Sequence, residues 1–271
     1  MEIAPATRMG PVELTVSDLE RSLEYWQRDI GLQLLAREDG TAALGGAEPL
    51  VRFVEEPGAR PADGFTGLYH VALLVPDRPS LARWLAHAAR DRVALTGLSD
   101  HYVSEAIYLR DPDHHGIEIY ADRPRELWEG QVFQRMTTEP LDVDDLLSEL
   151  ADPAAEPFDG LPAGTTVGHV HLRVADVEET VRFYRDVLGF GLTAQLGPAA
   201  AFLSAGGYHH HVGANVWESR GASPAPPGTA GLRRFTIVVP DRDELERVSA
   251  RLGGVEGRDP SGNPVFLSAG I

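Results

Sequence analysis

One internal repeat limits what this chain can fold into more than any other feature. The segment GPVELTVSDLERSLEYWQRDIGLQL, from Gly10, and the segment GHVHLRVADVEETVRFYRDVLGFGL, from Gly168, align at a constant offset of 158. Gly10, Val12, Leu14, Val16, Asp18, Glu20, Gly31 and Leu34 each meet an identical residue. The alternating Val, Leu and Val read as a half-buried strand, Asp18 and Asp176 stand where a helix takes its cap, and Gly31 and Gly189 where it stops. Two shorter copies follow the same plan, GLYHVALLVPDRPSLARWL from Gly67 and GLRRFTIVVPDRDELERVS from Gly231. Each leads to a late Asp-Pro turn and a further strand, DPDHHGIEIY and DPSGNPVFLS. Repeats of this kind fold as stacked units. The expectation is therefore an α+β chain of four βαβββ modules in curled mixed sheets. Residues 8–125 would form a first domain (modules one and two), 126–165 a connection with one helical stretch, LDVDDLLSELA, and 166–271 a second domain (modules three and four). Module four is expected to be abbreviated, since only five residues follow Phe266.

Composition narrows the partners. At 43% hydrophobic, a chain of 271 residues can bury a full core. A formal net charge of -17 repels nucleic acid and anionic membrane, leaving small molecules and cations as the expected ligands. Without cysteine there is no disulfide, thiolate site or cysteine nucleophile, so a metal would be held by His, Asp or Glu. All 24 basic residues are Arg, which removes Schiff-base chemistry. The start of the chain has no basic segment leading into an apolar one, and no stretch is suited to span a bilayer, so a cytoplasmic protein is expected.

Four such modules, with GLYHVALLVPD, DHYVSEAIYLRDPDHHGIEIYADRP and GGYHHHVGANVW among them, resemble the vicinal oxygen chelate superfamily (the glyoxalase, bleomycin resistance and extradiol dioxygenase proteins). Within it the chain looks most like bacterial catechol 2,3-dioxygenase-like proteins. The resemblance implies paired modules whose sheets enclose a metal, commonly with His on a module's first strand and Glu on its last.

Those stations can be read module by module. Five residues before the last Val of each first strand stand Pro11, His70, His169 and Arg234. The last-strand acid station holds Glu118 in module two and Phe266 in module four. Only modules two and three offer imidazoles, and only module two the carboxylate. An iron that binds substrate and O2 together calls for two His, one carboxylate and open positions on one side. Pairing modules two and three gives His70, Glu118 and His169 as that set, with modules one and four as a structural pair. The 51 residues from Glu118 to His169, at roughly 3.3 Å each when extended, allow this within one chain; a dimer exchanging modules would serve as well.

Further residues surround the expected metal. The resemblance implies that Tyr108, in the His-Tyr-Glu order formed by His101, Tyr108 and Glu118, hydrogen-bonds a substrate oxygen; Tyr108 could also be a core aromatic, and His101 a cap on a surface turn. It also implies that HHVGA places His211 as the acid/base beside the oxygen site. Strand alternation would point His209 and His211 one way and His210 the other, with Gly213 leaving space for His211. His114 and His115 are expected to be solvated, and Asp111 and Asp113 to make turn hydrogen bonds. The expected activity is Fe(II)-dependent (or Mn(II)-dependent) extradiol cleavage of a catechol with O2, in an enzyme that could be a homo-oligomer. The alternatives are a glyoxalase-type isomerase or lyase and a non-catalytic binding protein of the same fold.

Overall fold

The computed structural model describes residues 2–270. Each module opens on a strand whose every second residue is apolar, and a helix capped by Asp follows. Asp18, Asp77, Asp176 and Asp241 accept from the backbone N–H groups of Arg21, Ser80, Glu179 and Glu244, respectively. Each such cap satisfies a donor the helix cannot, typically worth about 1 kcal/mol. In modules one and three the helix widens in its last turn, at Trp26–Ile30 and Phe183–Leu188. Both end on a left-handed glycine, Gly31 (φ 89°) and Gly189 (φ 92°), at the stops expected from the repeat.

The modules pair as the histidine pattern required. Module one's first strand, Arg8–Val16, runs antiparallel to module four's, Leu232–Val239. Module two's, Gly67–Leu74, runs antiparallel to module three's, Thr166–Arg173, with His171 opposite His70 and His169 opposite Ala72. Two mixed sheets result, one of seven strands from modules one and four and one of nine, eight from modules two and three and one from the connection. In each module the last strand lies parallel beside the first. Module four has two strands after its helix, Glu256–Arg258 and Pro264–Ala269, where the other modules have three. The helix Arg242–Leu252 leaves room for no more before Glu256.

The sheets share one core. Val12, Leu14 and Val16 of module one pack in the same cluster as Val71 and Leu73 of module two, Val170 and Leu172 of module three, and Phe235 and Ile237 of module four. Because strand side chains alternate, the intervening residues of modules two and three, His70, Ala72, His169 and His171, point to the other, concave face. The connection is more than a tether. Glu139–Pro140 adds an edge strand against Ser99 and Asp100, the short helix Val132–Arg135 packs against the strand Gly191–Leu196, and the short helix Val143–Leu147 packs against the helix Arg78–Asp91. Among the described residues, no helix is long and apolar enough to cross a membrane.

The Asp-Pro turns tie the modules together. Asp111 accepts from the backbone N–H of Asp113 and His115 and from Trp26 Nε1 of module one, as the turn reading expected. Its counterpart Asp259 accepts from Ser261 and Asn263, and from the Tyr184 hydroxyl of module three. One expectation fails here: His114 is exposed, but His115 is buried, its Nδ1 2.8 Å from Asp111 Oδ2. The turn folds His115 back over its own Asp, into the junction with module one.

Candidate metal centre and ring-binding cavity

The concave face of the nine-stranded sheet gathers three side chains. Glu118, on the strand Gly116–Asp122, stands opposite Ala72. Its Oε2 lies 2.9 Å from His70 Nε2 and 3.1 Å from His169 Nε2, and the two nitrogens are 3.3 Å apart. All three residues are buried. For bonds of about 2.1 Å, the edge of a coordination octahedron is about 3.0 Å, so these separations describe one face of such a shell.

The protonation states suit a cation. Burial alone would raise the Glu118 pKa, but His169 and then His70 outweigh it and hold the carboxyl well below its usual range. Burial pushes His169 down to about 4, against the pull of Glu118, so near neutral pH it presents a lone pair. His169 Nδ1 is buried without a partner, so no protein acceptor ties up the ring's far side. Two imidazoles facing one carboxylate oxygen at these distances fit a divalent ion.

A cavity of about 680 Å³ opens over this set. Tyr69, Phe202 and Trp217 form much of its wall, and Phe133, Met136 and Thr137 of the connection close one side. Tyr108 lines it, its hydroxyl 2.7 Å from His101 Nε2; His101 Nδ1 in turn lies 2.7 Å from the Thr137 carbonyl oxygen. A carbonyl only accepts, so Nδ1 carries the proton and Nε2 accepts from the phenol. Burial, and next the Glu118 charge, raise the Tyr108 pKa well above its ordinary value, keeping the phenol protonated. On the opposite side the His210 ring centroid is 4.0 Å from that of His169. His210 Nδ1 meets His209 Nδ1 at 2.7 Å, and His209 Nε2 meets Asp122 Oδ1 at 2.9 Å. The carboxylate takes the Nε2 proton of His209, so His209 Nδ1 accepts from His210 Nδ1–H. His210 is left with its lone pair on Nε2.

Comparison with known proteins decides the family. A model of the "Glyoxalase/Bleomycin resistance protein/Dioxygenase superfamily" matches residues 8–119 and 166–264. This chain belongs to that superfamily. A Bacillus subtilis (strain 168) catechol-2,3-dioxygenase is 44% identical over 255 residues, covering 91% of this chain and 87% of the relative. Among solved structures, a Bacillus subtilis protein superposes with a TM-score of 0.67 at 14% identity, covering 99% of this chain and 86% of its own. Glyoxalase I from Zea mays gives 0.56 at 20% identity, covering 97% and 92%. At such identities the two structures speak for the fold alone.

In this member of the superfamily the sequence-derived residues fall into two groups. His70, Glu118 and His169 converge, and Tyr108 and His101 stand together on the cavity wall. His211 does not join them. Its Nδ1 accepts from the Ala205 backbone N–H, its ring packs near Phe190 and Tyr208, and it does not line the cavity; His210 does. The reason is local: the strand begins only at Val212, after a turn through Gly206 (φ 58°) and Gly207 (φ 69°). The three histidines therefore lie before the strand, where two-residue alternation does not apply. Burial, with help from His209, lowers the His211 pKa to about 3, that of a ring kept neutral in the core. Two cavity-face groups went unread. Asp122 lies four residues after Glu118, and His171 two after His169, so a period-two reading from each ligand would have found them.

Proposed function

We propose that this protein is an extradiol ring-cleaving dioxygenase that uses Fe(II) and O2 to open a catechol to a muconic semialdehyde, with His70, Glu118 and His169 as the metal ligands. The observation that carries the reading is the convergence of two imidazoles and one carboxylate at a cavity with Tyr69, Phe202 and Trp217 in its wall. The donor set leaves one side of the ion open, and the homology to a catechol-2,3-dioxygenase supports the same chemistry. The bound iron would supply Lewis acidity and an electron path between diol and O2.

The chain's own groups do the rest. Tyr69, Phe202 and Trp217 hold a flat ring and exclude water. Tyr108 presents its hydroxyl oxygen as an acceptor to a diol O–H, and His101 holds that hydroxyl in place by accepting its hydrogen bond at Nε2. His210 takes the acid/base role, receiving a proton at Nε2 while its Nδ1–H stays hydrogen-bonded to His209 Nδ1, and Asp122 stabilises the pair as charge builds. A glyoxalase-type base would need a second carboxylate, but Gly213 and Phe266 occupy its stations. The test is anaerobic loading with Fe(II), then catechol and O2. A yellow ring-opened product with one O2 consumed per ring supports the reading; stoichiometric binding of catechol without O2 uptake refutes it, and activity with Mn(II) but not Fe(II) corrects the ion.

A further inference from the structure

We propose that His171 is a specificity-determining residue, its imidazole hydrogen-bonding a polar substituent on the ring carbon next to the diol. This rests on the catechol-cleaving reading above. His171 is buried and lines the cavity, and its Nε2 has no hydrogen-bond partner. Polar atoms this deep are ordinarily satisfied, and an unsatisfied one on a side chain that lines a cavity marks a place for a ligand atom. It is not a fourth ligand, because its nitrogens stand outside the three atoms that gather at Glu118. Aromatic rings pack around it: Tyr69 at 5.4 Å between centroids, Phe202 at 5.7 Å and Trp217 at 5.7 Å. This stretch of the wall is thus aromatic with one unpartnered imidazole nitrogen, an arrangement suited to reading a polar group on a flat ligand.

The module symmetry shows that the position was cleared for this side chain. Glu118 stands opposite Ala72, and the matching station of module three, Gly213, stands opposite His171. A small residue beside an acid in module two is exchanged for an imidazole beside a glycine in module three. A methyl group on Gly213 would sit 2.9 Å from His171 Cγ and 2.9 Å from its Nδ1, so the glycine is what lets the ring lie flat there. Reach then fixes the substituent. The His171 ring centroid is 4.9 Å from that of His70. A catechol held through both oxygens beside His70 therefore brings to it the carbon adjacent to the diol, not the far side of the ring.

The experiment compares 3-methoxycatechol with 3-ethylcatechol, which differ by an ether oxygen in place of a methylene, and with catechol itself. Each is titrated calorimetrically into the Fe(II)-loaded protein under anaerobic conditions, with dissociation constants expressed per bound iron. The ratio of ethyl to methoxy dissociation constants should fall about tenfold from wild type to His171→Leu, the size of one hydrogen bond. His171→Gln, which keeps a donor, should restore part of it, and Gly213→Ala, which displaces the ring without removing it, should lower it as well. Catechol should bind all four proteins within about twofold. An unchanged ratio in His171→Leu, or an equal weakening of all three ligands, overturns the proposal while leaving the ring-cleavage reading intact. A wild-type protein that binds no catechol overturns both.

Discussion

The two sheets are built from the same module, yet only one of them is equipped for chemistry. On the seven-stranded sheet, the stations that match His70 and His169 hold Pro11 and Arg234, and those that match Glu118 hold Arg52 and Phe266. Arg234 reaches Glu13 at 3.2 Å and Glu256 at 3.4 Å, and lies over the Phe266 ring at 5.0 Å. This face is partly open to water, whereas on the corresponding face of modules two and three His70, Glu118, His169 and His171 are buried and Phe133, Met136 and Thr137 of the connection close one side. The same module plan thus supports a salt-bridged surface in one half and a buried His/Glu cluster under a cavity in the other. The difference lies in a handful of side chains and in what covers them, not in the fold.

The widest separation between the halves should come from their equivalent acid stations. Glu118→Ala should abolish bound iron and lower ring cleavage on the order of a thousandfold or more, about 4 kcal/mol, while Phe266→Ala leaves both within about twofold. Metal analysis beside an O2-uptake assay makes the comparison, and retention of iron by Glu118→Ala would break it. Next comes the histidine run. His210→Ala should cost about 10²–10⁴ in kcat with iron retained, and His211→Ala little in kcat.

His211 should show instead in stability. Its folded pKa, about 3, lies below the 6.5 of an exposed histidine, so between those values the unfolded chain binds the extra proton. Its contribution is therefore complete above about pH 6.5 and declines as the pH falls, by about 1.4 kcal/mol per pH unit across that window. His211→Phe should flatten the pH dependence of the urea midpoint by about that slope, and an unaltered profile would contradict the burial argument. The smallest effect belongs to the other half: Arg234→Ala, on a half-exposed ion pair, should move stability by less than about 1 kcal/mol in a thermal melt.

The pairing of modules was legible because a ligand set has to be complete somewhere. Four aligned first strands with two histidines and one matching glutamate left a single economical arrangement, and the antiparallel contact of Gly67–Leu74 with Thr166–Arg173 is that arrangement. His211 misled because assigning it to the cavity assumed that the strand already included it. A pair of left-handed glycines ahead of Val212 shifts the chain out of the alternating pattern, and only a backbone shows that. His115 is a similar case, since a turn sequence reads as solvated until a neighbouring module, through Trp26, closes over it. Asp122 and His171 were visible in principle. Each shares a strand face with a predicted ligand, and the reading stopped at the ligands themselves. The cavity wall formed by Phe133, Met136 and Thr137 had no sequence signal beyond its place in a connection, because its role arises from where the edge strand Glu139–Pro140 docks.

The proposed ligands come from opposite sides of the connection, two from module two and one from module three. Severing the backbone in the exposed stretch near Asp152 would therefore yield fragments neither of which holds a full coordination set. Ion binding and fragment association then become linked equilibria, and by reciprocity any factor by which the ion tightens the union of the fragments is the factor by which that union tightens the ion. Because both sheets and the core already join the two fragments, a nicked protein of this kind would stay associated without the ion and be held more tightly when iron is supplied.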